Sequence, residues 1–177
     1  MARIVILGCA GSGKTALARR LGELTGAPVV CLDDVWQPQW GSDDVPTFRT
    51  LMKAAHAGEA WISDGNFALV TFDIRLSRAN LVVWLDPPKL YCTWRAITRV
   101  FRPDQEHRIR DLSKVLRFIW NFDQINRPLI EANRTVYGPS VPVLRLTNNR
   151  EISAFLSSHC GDGGHLRSSR PSQPLRG

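Results

Sequence analysis

Apolar and polar positions alternate in blocks along the chain, and the blocks switch between the period of a strand and that of a helix. Residues 3 to 7, RIVIL, form a short β-branched run closed by Gly8, and residues 14 to 24, KTALARRLGEL, place Leu17, Leu21 and Leu24 at helical spacing. This pattern predicts a strand, a glycine loop and a helix. The alternation repeats, with PVVCL at 28 to 32 as a strand, 45 to 57 as a helix and AWIS at 60 to 63 as a strand. LVVWL at 81 to 85 has no polar alternation, which fits a strand buried on both faces of a parallel sheet. Pro87-Pro88 then opens a helix to about residue 101, proline being favourable in a first turn. From 111 to 127, Leu112, Val115, Leu116, Ile119 and Phe122 make one apolar stripe. VPVLRL at 141 to 146 is a fifth strand and 149 to 158 a closing helix. Strands alternating with helices predict an α/β sandwich with a parallel sheet, whose ligands gather at the carboxyl ends of the strands.

Residues 8 to 15, GCAGSGKT, satisfy the pattern GxxxxGK[ST] in full, between an expected strand and an expected helix. In such a loop the backbone of Gly8, Cys9, Ala10, Gly11, Ser12 and Gly13 curls so that successive N–H groups point at phosphate oxygens, with a helix N-terminus behind them. Lys14 reaches the β and γ phosphates, the Thr15 hydroxyl is a magnesium ligand, and Ala16 continues the binding segment into the helix. ATP and Mg2+ are the expected cofactors. No DxxG or NKxD follows, and residues 148 to 151, NNRE, lack the lysine and aspartate that would read a guanine base. An LSGGQ-like transporter signature is also absent, leaving a small kinase or a stand-alone ATPase.

Length and charge narrow the picture further. A chain of 177 residues with 44% hydrophobic content is enough for one compact domain, expected over residues 1 to 160. The formal charge of +7 is uneven: residues 89 to 134 hold ten Lys or Arg against five Asp or Glu, which points to an anionic ligand. The segment 161 to 177 is Gly, Ser, Pro and Arg with little that is apolar, and is expected to be a disordered basic tail. Cys9, Cys31, Cys92 and Cys160 lie far apart with no CxxC pair, as expected for reduced thiols in a cytoplasmic protein. The four apolar residues before Gly8-Cys9 fall short of the roughly 7 to 15 of a signal peptide, and no run approaches the roughly 18 of a membrane span.

GCAGSGKT, LDDVWQPQW at 32 to 40, WISDGNF at 61 to 67 and VVWLDPPKLYCTWRAITR at 82 to 99, in this order, resemble the adenylate kinase-like P-loop kinases. Within that group the chain looks most like bacterial topology modulation or adenylate kinase-related proteins, over roughly residues 3 to 157. The resemblance implies a three-layer P-loop sandwich with a five-stranded parallel sheet of the nucleoside monophosphate kinase type. It also implies ATP with magnesium as donor and a mobile lid. Asp33 takes the base or acceptor-side position by this resemblance, and Arg95 and Arg99 lie on the helix that leads into the lid. Read from spacing alone, Arg95 and Arg99 are four apart and share a helix face, so both can reach one polyphosphate. Arg102, Arg108 and Arg110 surround a polar loop, and a lid is expected at about 100 to 112.

Asp33 and Asp34 are expected to end the second strand and Asp64 the third, where carboxylates order magnesium-bound water or accept a hydroxyl proton. Asp64 is the expected metal-side residue, with Thr15; Asp34 is expected as a helix cap or support. The acceptor side departs from the family. Adenylate kinases follow the third strand with DGFPR, whose arginine grips a nucleoside monophosphate; here Asp64-Gly65-Asn66-Phe67 leads to Ala68. Arg49 and Arg75 substitute for it only by conjecture. Trp36, Trp40 and Phe48 lie in the acceptor segment, either stacking on a ring or packing. The expected function is ATP-dependent phosphoryl transfer to a small acceptor, whether nucleotide, nucleoside or another hydroxyl compound. A nucleic-acid-associated ATPase and a non-catalytic nucleotide sensor are the alternatives, nucleic acid being disfavoured because no such motif is present. Oligomeric state is not legible.

Overall fold

The computed structural model describes residues 2–37, 39–100 and 112–160. The expected lid, with Arg102, Arg108 and Arg110, and the expected tail at 161–177 lie outside the described residues.

Five strands, β1 (Arg3–Gly8), β2 (Val29–Cys31), β3 (Trp61–Asp64), β4 (Leu81–Leu85) and β5 (Val143–Leu146), form one parallel sheet in the order β2-β3-β1-β4-β5. β1 is central, so its alternate side chains enter two different cores. Ile4 and Ile6 pack with Leu17 and Leu21 of α1 (Lys14–Thr25) and with Phe155 of α8 (Asn149–Cys160). Val5 and Leu7 face the other way, onto Phe72 of α4 (Ala68–Arg75), Cys92 and Ala96 of α5 (Lys89–Val100), and Ile119 of α6 (Leu112–Asn121). Helices thus cover both faces, which is the expected three-layer sandwich. β4 is buried on both faces, as its unbroken apolar run predicts.

Three local features differ from the expectations. β2 stops at Cys31, and Leu32, fully buried, starts the short helix α2 (Leu32–Val35), so Asp33 and Asp34 sit on a helical turn rather than at a strand end. Burying Leu32 with Phe48 and Met52 of α3 (Val45–Ala55) turns the chain out of the sheet one step early. No helix was expected at α4, because Asp64-Gly65-Asn66 reads as punctuation and only eight residues follow. The stripe expected over 111 to 127 breaks at Asn121 into a wide π turn, Phe122–Asn126, and then continues as α7 (Arg127–Tyr137). Pro128 lies in the first turn of α7, where its missing N–H costs nothing, and the wide turn keeps Ile119, Phe122 and Ile130 all on the core.

Candidate active site

The carboxyl ends of β1, β3, β4 and β5 converge, and the glycine loop leaves β1 at their centre. Gly11 and Gly13 have φ of 77° and 102°, a region that suits glycine. A Cβ on Gly11 would stand 2.4 Å from the Cys92 carbonyl oxygen, so the loop lies directly against α5. Gly13 caps α1 without any side-chain bond, which leaves the first amides of the helix directed at the loop. On its other flank, a Cβ on Gly13 would lie 2.8 Å from Nη1 of Arg95, whose guanidinium also stands over the Tyr91 ring.

The loop's functional side chains turn inward. Lys14 Nζ donates to the Cys9 carbonyl (3.0 Å), and Thr15 Oγ1 donates to Asp64 Oδ2 (2.6 Å). Asp64 is 2% exposed, and its second oxygen, Oδ1, has no hydrogen-bond partner. A buried carboxylate oxygen left unpaired is costly, so Thr15 and Asp64 together fit a cation's inner or water-bridged coordination. Asp33 opens to solvent on α2, yet its crowded surroundings raise its pKa; Lys14 and Arg99 oppose this, and Asp64 and Asp34 add to it. Lys14, Thr15, Asp33, Asp64, Arg95 and Arg99 therefore share one electrostatic neighbourhood.

The loop after β3 is held by Asn66, Arg75 and His56, in supporting roles that sequence reasoning did not assign to them. The Asn66 side chain clamps the Gly8 peptide from both sides, Oδ1 accepting from its N–H (3.2 Å) and Nδ2 donating to its carbonyl (3.0 Å). Arg75 is wholly buried and donates to the Gly65 carbonyl (2.8 Å), the Asn66 carbonyl, Ser63 Oγ (3.3 Å) and Thr71 Oγ1 (2.9 Å). Burial pulls the pKa of this guanidinium down, with Asp64 opposing, but it stays charged at neutral pH. Phe67 adopts a left-handed backbone, φ 37°, which a non-glycine residue keeps only where its neighbours hold it. His56 completes the support. Its Nδ1 must donate to the Met52 carbonyl (2.8 Å), so Nε2 accepts from Ser63 Oγ (2.9 Å), and burial pushes its pKa down to about 4.

Neither conjectured phosphate-gripping arginine is open. Arg75 is the buried post just described, and Arg49 is committed to both oxygens of Asp73 and to the Val70 carbonyl (2.6 Å). Trp36 meets Phe48 and Trp40 edge-on, at 5.2 and 5.7 Å between ring centroids, and Phe67 joins them; their first engagement is mutual packing. Asp86, just past β4, is bound by Arg127 and by Arg145 (2.7 Å). A pocket of about 210 Å³ opens beside the loop between Tyr91, Pro87, Pro88, Asn149 and Ile152. At its edge Ser12, 2% exposed, has a hydroxyl with no hydrogen-bond partner. Nothing but its dipeptide setting in WISDGNF marks Asn66 in the sequence, and its partner Gly8 is 58 positions away.

The fold is similar to that of several solved small-molecule kinases. A shikimate kinase from Acinetobacter baumannii in complex with shikimate is similar at TM-score 0.52 and 16% identity, over 94% of this chain and 97% of that one. A shikimate kinase from Bacteroides thetaiotaomicron is similar at TM-score 0.58 and 14% identity, over 89% and 95%. A gluconokinase from Sinorhizobium meliloti 1021 is similar at 0.52 and 16%, over 91% and 94%. At such identities the likeness establishes the fold. No family model and no curated protein matches the chain. Among the described residues, no helix is long and apolar enough to cross a membrane.

Proposed function

We propose that the chain is an ATP-dependent kinase that transfers a phosphoryl group to the hydroxyl of a small acceptor. The observation that carries this reading is the Thr15–Asp64 hydrogen bond beneath the phosphate loop, with the other Asp64 oxygen buried and unpartnered. Bound there, Mg2+ would neutralise charge on the β and γ phosphates. Lys14 exchanges the Cys9 carbonyl for phosphate oxygens, and the loop amides with Arg95 and Arg99 hold the polyphosphate. The pocket beside Ser12 and Tyr91 receives the base: it has apolar walls, and the Ser12 hydroxyl and the Asn149 amide supply polar partners.

Asp33 orients the acceptor hydroxyl and takes its proton as the oxygen bonds to the γ-phosphorus and the bond to the β–γ bridging oxygen breaks. Its raised pKa makes the carboxylate a better proton acceptor than an ordinary aspartate. With Arg49 and Arg75 committed within the fold, the acceptor segment lacks the arginine that grips a nucleoside monophosphate. A nucleoside or another small hydroxyl compound is favoured over AMP. We place the chain beside the adenylate kinase-related proteins that its motifs resemble, and in the cytoplasm. Lys89, Arg127 and Arg134 pair with Asp123, Asp86 and Glu131, which weakens the case for nucleic acid as partner of the basic region. An ADP-release screen over nucleosides, nucleoside monophosphates and hydroxyl metabolites tests the reading, with Lys14→Ala as blank. Acceptor-stimulated release supports it; ATP binding with no stimulation by any acceptor would sink it.

A further inference from the structure

β1 runs further than its neighbour β3. Their register pairs Ile6 with Asp64, the last residue of β3, so Leu7 and Gly8 extend past the end of that strand. The chain leaves the sheet at Gly65, φ 132°, whose N–H still donates to the Ile6 carbonyl (3.3 Å). One rung further on, β3 has ended. The Asn66 side chain takes the place of the missing peptide, because a carboxamide carries the same donor and acceptor. Its Oδ1 accepts from the Gly8 N–H (3.2 Å) and its Nδ2 donates to the Gly8 carbonyl (3.0 Å). Asn66 is itself held in place. Its own carbonyl and that of Gly65 accept from the buried Arg75, and Phe67 behind it keeps a left-handed backbone.

We propose that Asn66 is a positioning residue for nucleotide: it orients the first peptides of the phosphate loop and so keeps the loop's amides in registry with the metal side at Thr15 and Asp64. The Gly8 N–H and carbonyl belong to the peptides on either side of its Cα, so one side chain fixes both planes. The second of these peptides leads into Cys9, whose carbonyl receives the Lys14 ammonium (3.0 Å) and the Ser12 N–H (3.2 Å). Two residues before Asn66, Asp64 Oδ2 accepts from Thr15 at the far end of the loop (2.6 Å). The short segment from Asp64 to Asn66 therefore grips the loop at its first and last residues. Both amide groups of Asn66 are spent on Gly8, so it acts through the loop rather than on the nucleotide. Its contribution is to spare the loop an ordering cost at the moment of binding. Without the clamp, Gly8 keeps its pairing with Leu85 of β4 on one side only. As a glycine at φ 147° it accepts many other backbone angles, and the amides beyond it lose their common direction.

This inference rests on the reading of the loop as an ATP site. The test is a MgATP titration with residue-resolved amide exchange by NMR, on full-length wild type and Asn66→Ala. The expected result in Asn66→Ala is a loss of MgATP affinity of about tenfold or more, as for a cradle that is no longer pre-organised. The amides of residues 8 to 13 should exchange faster in the free variant, while those of β4 exchange as in wild type. Unchanged affinity overturns the proposal. So does a loss of affinity with loop exchange unchanged, or with β4 loosened as much as the loop, since the clamp would then not be what moved. Wild type alone gives a check that stands even if the variant does not fold. Before nucleotide is added, the Gly8 amide should exchange roughly tenfold or more slowly than those of Gly11 and Gly13, and equal rates overturn the proposal. Wild-type protein that binds no MgATP would instead overturn the functional reading, and this role with it.

Discussion

Arg75 and Arg95 both stand beside the loop region, and their surroundings give them opposite roles. Arg75 lies under the β3–α4 junction, wholly buried, with its donors directed at the protein's own carbonyls and hydroxyls. Arg95 lies half-exposed on α5, against the open edge of Gly13 and over Tyr91. A guanidinium taken out of water is stable only when its donors are satisfied internally, and one so satisfied has nothing to offer a substrate. The β3 exit is thus the fixed reference from which Asp64 faces Thr15, while in the proposed function α5 carries the cations that answer to a ligand.

Substitution separates the two regions. Arg75→Met should cost roughly 3–5 kcal/mol, because it leaves the Gly65 and Asn66 carbonyls buried without donors; a fall in the urea midpoint measures it. If Arg75→Met were as stable as wild type, the rigid half of the comparison would be lost. The pH dependence of stability sharpens the same half. His56 is neutral in the fold, with its pKa pushed down to about 4, against the ordinary value of 6.5 in the unfolded chain. Between those values the unfolded chain binds the extra proton, so stability is full above about pH 6.5 and falls as pH drops towards 4. The loss is about 3 kcal/mol, and His56→Asn should flatten that slope in pH-dependent urea titrations.

Arg95→Met has the opposite signature. Its stability should stay within about 0.5 kcal/mol of wild type, while kcat for ADP release falls by about a hundredfold, as for removal of one donor to a developing charge. Equal losses of stability in Arg75→Met and Arg95→Met would erase the distinction. Arg49→Ala is the smallest effect: its pair with Asp73 is about a third exposed on each side, so roughly 1 kcal/mol or less is lost. Its turnover should match wild type in the same assay.

Much of this was legible in the sequence where a feature is local. The glycine loop is eight consecutive residues, and the β-branched runs of β1 and β4 announce buried strands without reference to anything distant. Asp64 was also legible, because it ends an apolar run and the fold brings parallel strand ends together. Asn66 and Arg75 were not. Each acts through backbone groups that only the completed sheet brings within reach, and neither residue type carries a pattern that says so. The role conjectured for Arg75 failed for the same reason: sequence shows a cation near the acceptor segment, but burial decides what it can touch. The π turn at Phe122–Asn126 was hidden because the apolar stripe runs through it, and the bulge shifts phase without changing composition.

The most direct test of the central claim, that Thr15 and Asp64 form the metal side of a phosphoryl-transfer site, is the magnesium dependence of ADP release in wild type and Asp64→Asn, with Lys14→Ala as blank. The account predicts at least a tenfold rise in the magnesium needed for half-maximal turnover in Asp64→Asn. An unchanged magnesium dependence in that variant would contradict it.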